Sequence, residues 1–462
     1  MIDLKALRDN PDRYRKGAAN KNYDPTLVDK LLEVDASLRE VMSEQQKLTA
    51  EKNEIGKKIG MIAGKLKKAS DDEKAALQAE MKALQARPNE IKQVEGDLVT
   101  KVSDLEKARL DLWLQVPQPA DDDVPVGKTA DDNVQISTWG PDWFSPEKSF
   151  EDNKGFKPKS HMELGEALGL FDFERGVKMA GSRSYVLCGD GMRLHNAILR
   201  YAFDFMTNEN GFKAMSVPVM VRYECMEGTG FFPHGRDQAY DIGNPTGEGY
   251  SLHMTGTGEV GLMGYHMGEI LEEDQLPIKM TTVSTCFRRE AGAAGKDTRG
   301  LYRIHQFDKV EQVVICKADE AESRDWHKQM LGFVQELLKR LQLPHRLLQC
   351  CTGDLGPKNA DMIDVECWMP SRGEVAEDGS TSGDWGETHS ASRLYDYQCR
   401  RLNLRYRDKE SGKTVVCHAL NNTVAASPRI LIPIMEMYQN ADGTITIPEV
   451  LRPYMGGDEK IG

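Results

Sequence analysis

Residues 285–307 read TCFRREAGAAGKDTRGLYRIHQF, and this stretch decides the fold of the chain. Two β-like runs flank a short loop that is rich in glycine and alanine. Arginines stand on both sides of that loop: Arg288, Arg289, Arg299 and Arg303. Since the loop is too small to bury itself, the pattern predicts a β-hairpin with positive charge on both arms.

Alternate residues of a strand share a face, which predicts how the side chains of this hairpin are arranged. Arg288 and Glu290 are predicted to point the same way. A second shared face is predicted on the returning strand, formed by Arg303, His305, Phe307 and Glu311. Guanidinium forks bind phosphate and an aromatic face holds a base, so the hairpin suits a nucleoside triphosphate. The alternative is an ordinary hairpin with solvated arginines.

The composition limits the class of protein. The chain has 462 residues, 39% hydrophobic and 29% charged, with a formal net charge of −13. This length predicts two or three domains, and the composition is typical of a soluble globular protein. The negative charge argues against broad, non-specific nucleic-acid binding and leaves room for a local basic surface. The sequence has no apolar run of membrane-spanning length and no apolar signal core at its start, so we expect a cytoplasmic protein with no membrane partner.

Residues 27–115 differ from the rest of the chain because they are rich in Lys, Glu, Ala, Leu and Gln. Apolar residues recur at 3-4 spacing over 31–66 and again over 77–112, which predicts two long amphipathic helices. Ser70 is predicted to cap the second helix, and Pro88 to kink or interrupt it. The pattern therefore predicts an antiparallel, coiled-coil helical hairpin.

Five lysines lie near the predicted turn of that hairpin: Lys57, Lys58, Lys65, Lys67 and Lys68. They fit two interpretations equally well. One is a solvated helix end, and the other is a tip that contacts nucleic-acid phosphates.

A second region begins after residues 116–133, a segment rich in proline and aspartate that predicts a linker. From there, residues 134–462 interleave β runs and helices irregularly, which predicts an α+β domain with a mainly antiparallel sheet. Strands are predicted at 279–290, 301–316 and 361–369, and helices at 319–342 and 427–439.

Three stretches resemble, in the right order, the signature motifs of class II aminoacyl-tRNA synthetases. The FRxE and RxxxF patterns of the hairpin resemble the second motif. Residues 211–221 resemble the first motif, with Pro218 at its proline, and residues 418–439 resemble the third, with Arg429 at its arginine. Within this class, residues 163–187, 285–311 and 448–457 and the helical arm closely resemble the seryl-tRNA synthetase family. This resemblance covers almost the whole chain. The resemblance implies seven or eight mainly antiparallel strands flanked by helices, a homodimer, and use of ATP with Mg²⁺.

The resemblance implies roles for residues around the nucleotide. Arg288 would hold the α-phosphate and the amino-acid carboxylate. Glu290 would contact the adenine amino group, and Phe307 would stack on adenine. Arg303 and Arg429 would bind the γ-phosphate and bend the ATP.

The same resemblance implies a metal position. Glu387 and Ser390 match the family's magnesium and phosphate positions, and a carboxylate and a hydroxyl are suitable hard ligands for Mg²⁺. Further ATP-binding residues expected from the match are Arg289, Thr388 and His389. The expected catalytic residues are Arg288, Glu387 and Arg429.

Serine recognition is implied for a third group of residues. Thr257, Gly258 and Glu259 match the family's TxE loop. Glu311 matches the carboxylate that meets the serine side chain and amine, and Thr423 matches a hydroxyl residue that contacts the substrate hydroxyl. A pocket that hydrogen-bonds a hydroxyl rejects alanine, because its polar groups would be left unpaired.

The chain departs from the family pattern around this pocket. GTGFFPHGRD, residues 228–237, replaces the usual GTGQLPKF, and LNNTVAASPR, residues 420–429, is nearer the eukaryotic version of the third motif. Arg393 replaces an asparagine, and Gly258 replaces the commoner alanine. These departures leave the preferred substrate open.

The resemblance implies a two-step ligase. Serine and ATP would form seryl-adenylate, and the 3′-terminal ribose of tRNA(Ser), and on the same basis of tRNA(Sec), would then accept the seryl group. Residues 1–115 would form a tRNA-binding domain. Two alternatives remain: a related class II ligase for another amino acid or a carrier protein, and a non-catalytic protein that binds tRNA or partners through its coiled coil.

Overall fold

The structure is a computed structural model that describes residues 1–243, 249, 251–292, 300–375 and 381–462. Arg299 and most of the predicted hairpin loop lie outside the described residues. The chain divides into two compact units. The smaller unit comprises Asp3–Arg15 and Asp24–Val116. The larger unit comprises Met1–Ile2, Lys16–Tyr23 and Pro117–Gly462.

Thirteen α-helices are found in the described part of the chain. They are Leu4–Asp9 (α1), Pro11–Asn20 (α2), Thr26–Leu66 (α3), Asp71–Gln115 (α4), Phe150–Lys154 (α5), His161–Ala167 (α6), Phe173–Ala180 (α7), Gly189–Asp204 (α8), Tyr223–Gly228 (α9), Glu259–Gly264 (α10), Glu320–Arg340 (α11), Tyr397–Arg401 (α12) and Leu431–Met437 (α13). Among the described residues, no helix is both long and apolar enough to cross a bilayer.

The strands are short except in the centre of the larger unit. They are Val134–Trp139 (β1), Phe171–Asp172 (β2), Val186–Leu187 (β3), Lys213–Met215 (β4), Met220–Arg222 (β5), Tyr240–Ile242 (β6), Leu252–Met254 (β7), Ile270–Glu272 (β8), Ile278–Phe287 (β9), Gln306–Cys316 (β10), His345–Gln349 (β11), Asp361–Met369 (β12), Asp384–Tyr395 (β13), Arg405–Arg407 (β14), Thr414–Val416 (β15), His418–Ser427 (β16), Ile445–Thr446 (β17) and Lys460–Ile461 (β18).

Helices α3 and α4 form the predicted antiparallel hairpin. Ser70 caps α4, and the Glu73 side chain accepts a hydrogen bond from the Ser70 backbone at 3.1 Å. The helix runs through Pro88 without a break, so the predicted interruption was wrong. Proline removes one backbone hydrogen bond, but contacts with α3 hold both sides of it. Arg87 pairs with Glu51 at 2.8 Å, and Ile91 is fully buried.

The seam of this hairpin contains the predicted apolar residues and one unpredicted charge. Leu31, Leu38, Val41, Ile55 and Ile62 are buried, as their spacing predicted. Asp35 is buried among them and lies near three arginines. These are Arg8 at 3.2 Å, Arg39 at 3.1 Å and Arg109 at 3.5 Å. The cations compensate the cost of burying a carboxylate in an apolar seam.

An eight-stranded sheet forms the centre of the larger unit, in the order β1-β11-β12-β13-β16-β10-β9-β4. Within this described sheet all neighbours are antiparallel except β4 and β9. The predicted α+β class and mainly antiparallel sheet are therefore confirmed. Strands β9, β10 and β16 carry the second and third motifs and lie side by side, which brings residues far apart in sequence onto one surface.

Helix α11 illustrates how helices cover this sheet. The Asp319 carboxylate caps it by accepting a hydrogen bond from the Ala321 backbone N–H at 2.8 Å. Apolar residues recur at three- and four-residue spacing, and Met330, Val334, Leu337 and other members of this face are buried. This stripe packs into the main hydrophobic core, which includes residues of β10, β12 and β16.

The hairpin strands are shorter than predicted. Strand β9 ends at Phe287, and Glu290 has a left-handed backbone, with φ of 52°. Strand β10 begins only at Gln306. The strands predicted at 279–290 and 301–316 were therefore too long, and Arg288, Glu290, Arg303 and His305 lie outside the regular pleat.

The last predicted helix was placed too early. Residues 427–439 were predicted to be helical, but β16 extends through Ser427 and α13 begins at Leu431. Pro428 explains the difference, since a proline biases the preceding residue toward extended backbone.

Candidate active site

A cleft of about 500 Å³ lies on one face of the central strands. Its lining residues are Arg288, Glu290, Leu301, Tyr302, Ile304, Phe307, Lys309, Glu387, Thr388, His389, Thr423, Ala426 and Arg429. Eight of the residues singled out from the sequence are in this lining, and they come from separate regions of the chain.

Arg288 and Glu290 lie at the mouth of the hairpin. The Arg288 guanidinium stacks over the Phe307 ring at 5.2 Å and donates from Nε to the Gly256 carbonyl at 3.3 Å. Glu290 accepts from Arg303 Nη1 at 2.6 Å. Arg303 lines an adjoining cavity that also contacts Arg288 and Glu290. The hairpin thus supplies two cations and a partly buried carboxylate to the same place.

Arg289 differs from its neighbour. Its side chain is exposed, and its backbone N–H donates to the Gln238 carbonyl at 3.0 Å. The residue lies outside the lining of the cleft, so the structure brings Arg288 but not Arg289 to this site.

The alternation of β10 selects what faces the cleft. Phe307 and Lys309 line it, and Glu311 is the next residue on the same face. Lys309 and Glu311 form a buried ion pair. The Lys309–Glu311 pair therefore follows the Phe307 ring along the same face of β10.

A bulge in β16 turns Thr423 toward the same cleft. Val310 pairs with Ala425 and Glu311 pairs with Thr423, so Val424 is an extra residue on β16. The extra residue shifts the alternation by one, which lets Thr423 face Glu311 while Ser427 faces the opposite side of the sheet. Strand periodicity alone would have placed Thr423 and Ser427 on one face.

A second bulge brings Glu387 and Ser390 together. These residues are three apart, and a regular strand would point them to opposite faces. In β13, Glu387 pairs with Glu366 and Ser390 pairs with Asp364, with Thr388 as the extra residue. Because Glu366 and Asp364 are two apart, Glu387 and Ser390 share a face.

The donor set around this bulge fits a hard divalent cation. Glu387 offers a carboxylate that is 47% exposed, and Ser390 offers a hydroxyl. Burial, together with the negative charge of Glu387, raises the pKa of Asp364 well above its usual range, and Asp364 Oδ1 is buried with no hydrogen-bond partner among the described residues. Oxygen ligands of this kind are those that Mg²⁺ prefers.

Thr388 and His389 line the cleft and hydrogen-bond each other. The Thr388 hydroxyl lies 2.8 Å from His389 Nδ1 and donates to the Val365 carbonyl at 3.1 Å. Burial, with a smaller effect from the charge of His345, lowers the pKa of His389 to about 3. The imidazole is therefore neutral near pH 7 and serves as a wall of the cleft.

Arg429 is held at the end of the third motif. Its Nε donates to the Tyr302 carbonyl at 3.0 Å, and its guanidinium lies 4.4 Å from the Tyr302 ring centroid. Its Nη1 donates to the Glu387 carbonyl at 3.1 Å. Arg372 stacks on the same ring at 4.1 Å. Sequence reasoning missed Tyr302, whose only signal was its place two residues after the glycine that closes the loop.

A small buried polar pocket surrounds Glu311. The Thr257 hydroxyl donates to Glu311 Oε2 at 3.2 Å, and Asn421 Nδ2 donates to Oε1 at 3.1 Å. Lys309 Nζ donates to the Thr257 hydroxyl at 2.8 Å. Lys309 and Asn421 were not predicted from sequence. A lysine two residues before a candidate carboxylate on a strand is the signal that could have found Lys309.

Gly258 is packed so tightly that a larger residue does not fit. A Cβ there would lie 2.6 Å from Thr282 Cγ2 and 2.9 Å from Ser284 Oγ. In this chain the glycine is therefore required by its neighbours, which explains the departure from the family's alanine.

Glu259 lies in a separate buried cluster. It accepts hydrogen bonds from Lys358 Nζ at 2.8 and 2.9 Å and from Gln398 Nε2 at 2.7 Å. The residue is 1% exposed and does not line the cleft. Its contacts hold α10 and α12 to the loop that carries Lys358.

Arg393, the other departure, also has an internal role. It is buried and forms ion pairs with Asp121 and with Asp361, the latter at 3.0 Å. It thereby holds the segment before β1 to β12. The arginine is a packing element of the larger unit and does not line the cleft.

The five arm lysines are all exposed in α3 and the turn that follows it. Lys58 pairs with Glu54 at 2.8 Å, and the others are Lys57, Lys65, Lys67 and Lys68. They form a basic patch at the turn of the hairpin.

Known proteins support this assignment of motifs. Residues 244–438 match the family model for the tRNA synthetase class II core domain (G, H, P, S and T), and residues 1–112 match that for the seryl-tRNA synthetase N-terminal domain. The serine–tRNA ligase of Deinococcus radiodurans is 39% identical over 462 residues, covering 100% of this chain and 99% of the relative.

Solved structures are similar over the full chain. The seryl-tRNA synthetase of Pyrococcus horikoshii, complexed with ATP, is 35% identical with a TM-score of 0.85, covering 100% of this chain and 99% of its own. The cytoplasmic serine–tRNA ligase of Naegleria fowleri, in complex with AMP, is 29% identical with a TM-score of 0.83, covering 100% and 98%. On its motifs, its fold and its full-length identity to these proteins, the chain belongs to the seryl-tRNA synthetase family.

Proposed function

We propose that the protein is an ATP-dependent serine–tRNA ligase that makes seryl-adenylate and then transfers the seryl group to the 3′-terminal ribose of tRNA. The observation that carries the proposal is the convergence of Arg288, Phe307 and Arg429 on one cleft that adjoins the polar pocket of Glu311. The relatives named above support the same activity.

In the first step the serine carboxylate attacks the α-phosphate, a bond forms between them, and pyrophosphate leaves. Adenine lies against Phe307, and Arg288 contacts the α-phosphate and the serine carboxylate. Arg303 and Arg429 bind the γ-phosphate, which replaces Glu290 as the partner of Arg303. Glu290 then contacts the adenine amino group. The arginines stabilise charge that spreads over the phosphates in the transition state.

Mg²⁺ belongs to this proposal, with Glu387 and Ser390 as its protein ligands. When bound, it neutralises phosphate charge and orients the leaving group. The supporting observation is the shared face of the two oxygen ligands, produced by the bulge at Thr388.

Serine binds in the pocket around Glu311. Its ammonium group pairs with that carboxylate, and its hydroxyl contacts Thr423. Lys309 and Asn421 hold the carboxylate in place, because each contacts Glu311 directly. Thr257 closes the pocket from the loop before α10.

The helical hairpin is proposed to bind the tRNA. In this assignment residues 1–115 form the tRNA-binding domain, 116–133 a linker and 134–462 the catalytic domain. The patch of five exposed lysines supports contact with the phosphate backbone, which RNA-binding proteins read by shape and charge. tRNA(Ser) is the proposed substrate, tRNA(Sec) a second one, and the cytoplasm the place of action.

A homodimer is also part of the proposal. Several large apolar side chains are exposed on the larger unit, among them Val177 at 46%, Met179 at 72%, Met192 at 42% and Val283 at 41%. A second copy of the chain is their proposed partner. Light scattering on the purified protein should give twice the chain mass of 51.8 kDa. The double variant with Met179→Lys and Met192→Lys should shift the measured mass toward that of a single chain.

The activity is tested by amino-acid-dependent exchange of pyrophosphate into ATP, run with each of the twenty amino acids. Of the twenty amino acids, serine alone should support exchange, and the exchange reaction should require Mg²⁺. Exchange with a different amino acid would identify another class II ligase. The absence of exchange with all twenty, in a folded protein, would identify a non-catalytic binding protein.

A further inference from the structure

One buried histidine outside the cleft joins the strands that build it. His195, on α8, is 3% exposed. Its Nδ1 lies 2.8 Å from the Ser427 hydroxyl, and its Nε2 lies 3.1 Å from Asp308 Oδ2. The Thr285 hydroxyl donates to Asp308 Oδ1 at 2.6 Å. We call these four residues the His195 cluster.

The cluster spans three neighbouring strands at one level. Asp308 of β10 is the cross-strand partner of Thr285 on β9 and of Ser427 on β16. His195 therefore contacts two adjacent strands directly and the third through Asp308. One side chain ties α8 to the whole row.

The proton positions in the cluster follow from its chemistry. The hydrogen bond from His195, supported by Thr285, holds the pKa of Asp308 below its usual range despite partial burial. An ionised carboxylate only accepts hydrogen bonds, so His195 Nε2–H donates to Asp308. In the neutral imidazole, Nδ1 then accepts from the Ser427 hydroxyl. Removal of the ring would take a hydrogen bond from Asp308 Oδ2 and from the Ser427 hydroxyl.

The opposite side of the same row is the cleft. Phe307 and Lys309 flank Asp308 and line it, since successive residues of a strand face opposite ways. Ala426, next to Ser427, lines it as well, and Arg429 follows two residues later. The backbone that carries the proposed adenine-binding ring and the proposed γ-phosphate arginine is thus fixed from behind by His195.

We propose that His195 is a positioning residue for the nucleotide: by joining Asp308 and Ser427 it sets the relative positions of Phe307 and Arg429 across β10 and β16. The proposal rests on the proposed function, because it assigns ATP to the cleft. It requires no contact between His195 and ATP.

The test compares His195→Leu, which removes both hydrogen bonds, with His195→Gln, whose amide can donate to Asp308 and accept from Ser427. In serine-dependent exchange, His195→Leu should lower kcat/KM for ATP by about tenfold or more, since displacement of reacting groups by even 1 Å costs up to about a hundredfold. The loss should be mainly in KM for ATP, with KM for serine little changed. His195→Gln should recover most of it.

His418→Leu is the matched control. His418 lies at the other end of β16, is 9% exposed, and its Nδ1 lies 2.8 Å from a buried hydroxyl, that of Ser323. It should lower Tm to a similar extent while leaving KM for ATP unchanged. An equal rise in KM for ATP in this variant would overturn the proposal, as would unchanged kinetics in folded His195→Leu.

Two further measurements separate the outcomes. If His195→Leu does not fold, Thr285→Val removes one hydrogen bond to Asp308 and should still raise KM for ATP, and an unchanged KM would count against the proposal.

Calorimetric affinity for ATP requires neither serine nor tRNA. A wild-type protein that binds ATP but supports no exchange would overturn the proposed function, while His195→Leu would still be expected to bind ATP more weakly.

Discussion

The helical arm and the active-site cleft are stabilised in different ways. In the arm, α3 and α4 pack along a seam of buried residues, and ion pairs between the helices other than that of Asp35, such as Lys52 with Glu95 and Arg87 with Glu51, are exposed or partly exposed. In the polar pocket that adjoins the cleft, Thr257, Glu311 and Asn421 come from three distant segments and share buried or partly buried hydrogen bonds. The arm therefore tolerates shortening, whereas the cleft depends on the register of several strands.

The largest effect is expected from shortening the arm. The Thr49 hydroxyl donates to Glu95 at 3.2 Å, so residues 50–94 can be replaced by a short Gly/Ser linker between facing positions. The cluster around Asp35 is retained. Serine-dependent exchange should survive, and aminoacylation of tRNA should fall on the order of 10³-fold, because the contacts to tRNA phosphates are lost.

The control inserts the same linker at the turn, after Lys68, and keeps the whole arm. It should charge tRNA nearly as well as the wild type. Charging by the shortened protein at the wild-type rate would mean that the arm serves another purpose.

The next effect concerns the cleft. Arg288→Ala should slow the exchange. The expected loss of transition-state stabilisation is about 2–4 kcal/mol, as for the loss of one well-aimed donor. Arg175, which is 80% exposed and pairs with Asp172, supplies the control Arg175→Ala, with no expected change. Near wild-type exchange by Arg288→Ala would remove this residue from the proposed chemistry.

Charge reversal at the arm turn should act on tRNA alone. Changing Lys57, Lys58, Lys65, Lys67 and Lys68 to Glu should raise KM for tRNA about 10- to 100-fold and flatten its dependence on salt, because fewer phosphates are neutralised. Exchange without tRNA should be unchanged. Reversal of Lys92, Lys101 and Lys107, exposed on α4 away from the turn, is the control. Equal effects from both sets would indicate a general effect of net charge.

Thr423→Val should change the choice of substrate with little effect on stability. It keeps the shape of the side chain and removes the hydroxyl that faces Glu311. The ratio of kcat/KM for serine over alanine should fall by about tenfold, the equivalent of one hydrogen bond. Thr423→Ser retains the hydroxyl and should keep the ratio near that of the wild type. A ratio that does not respond to Val would exclude Thr423 as a reader of serine.

The smallest effect is expected from an alanine substitution of one glycine in each region. Gly258→Ala forces a Cβ against Thr282 and Ser284 and should lower stability by about 1–3 kcal/mol. Gly56→Ala in α3 meets open space and should raise helix stability by up to about 1 kcal/mol. Differential scanning calorimetry should show Tm shifts of opposite sign. Shifts of the same sign would contradict the difference in packing described here.

Local rules predicted the arm well. The 3-4 spacing identified the seam, and Ser70 identified the start of α4. The buried Asp35 was not predictable, because its three arginines come from α1, α3 and α4. The passage of α4 through Pro88 was mispredicted for a related reason, since packing against α3 overrides the local cost of proline.

The cleft was predicted in part. Motif resemblance identified Arg288, Phe307, Glu387, Thr423 and Arg429, which line it together. The roles of these residues remain predictions. Asn421 and Tyr302 were missed because their partners, Glu311 and Arg429, are far away along the chain. Lys309 was missed although its partner Glu311 lies on the same strand. Arg289 and Glu259 were predicted to bind substrates, yet neither lines the cleft, and only the tertiary contacts could show this.

By itself, the sequence determined the helical hairpin, the class of the sheet and several of the residues that line the cleft. These depend on local periodicity and on short motifs, whose spacing is visible along the chain. Tertiary structure alone decided the direction of the side chains. The bulges at Thr388 and Val424 each insert one residue, and with a period of two one residue reverses a face. Because of the bulge at Val424, Thr423 faces the cleft, whereas Ser427 faces the other side of the sheet and contacts His195.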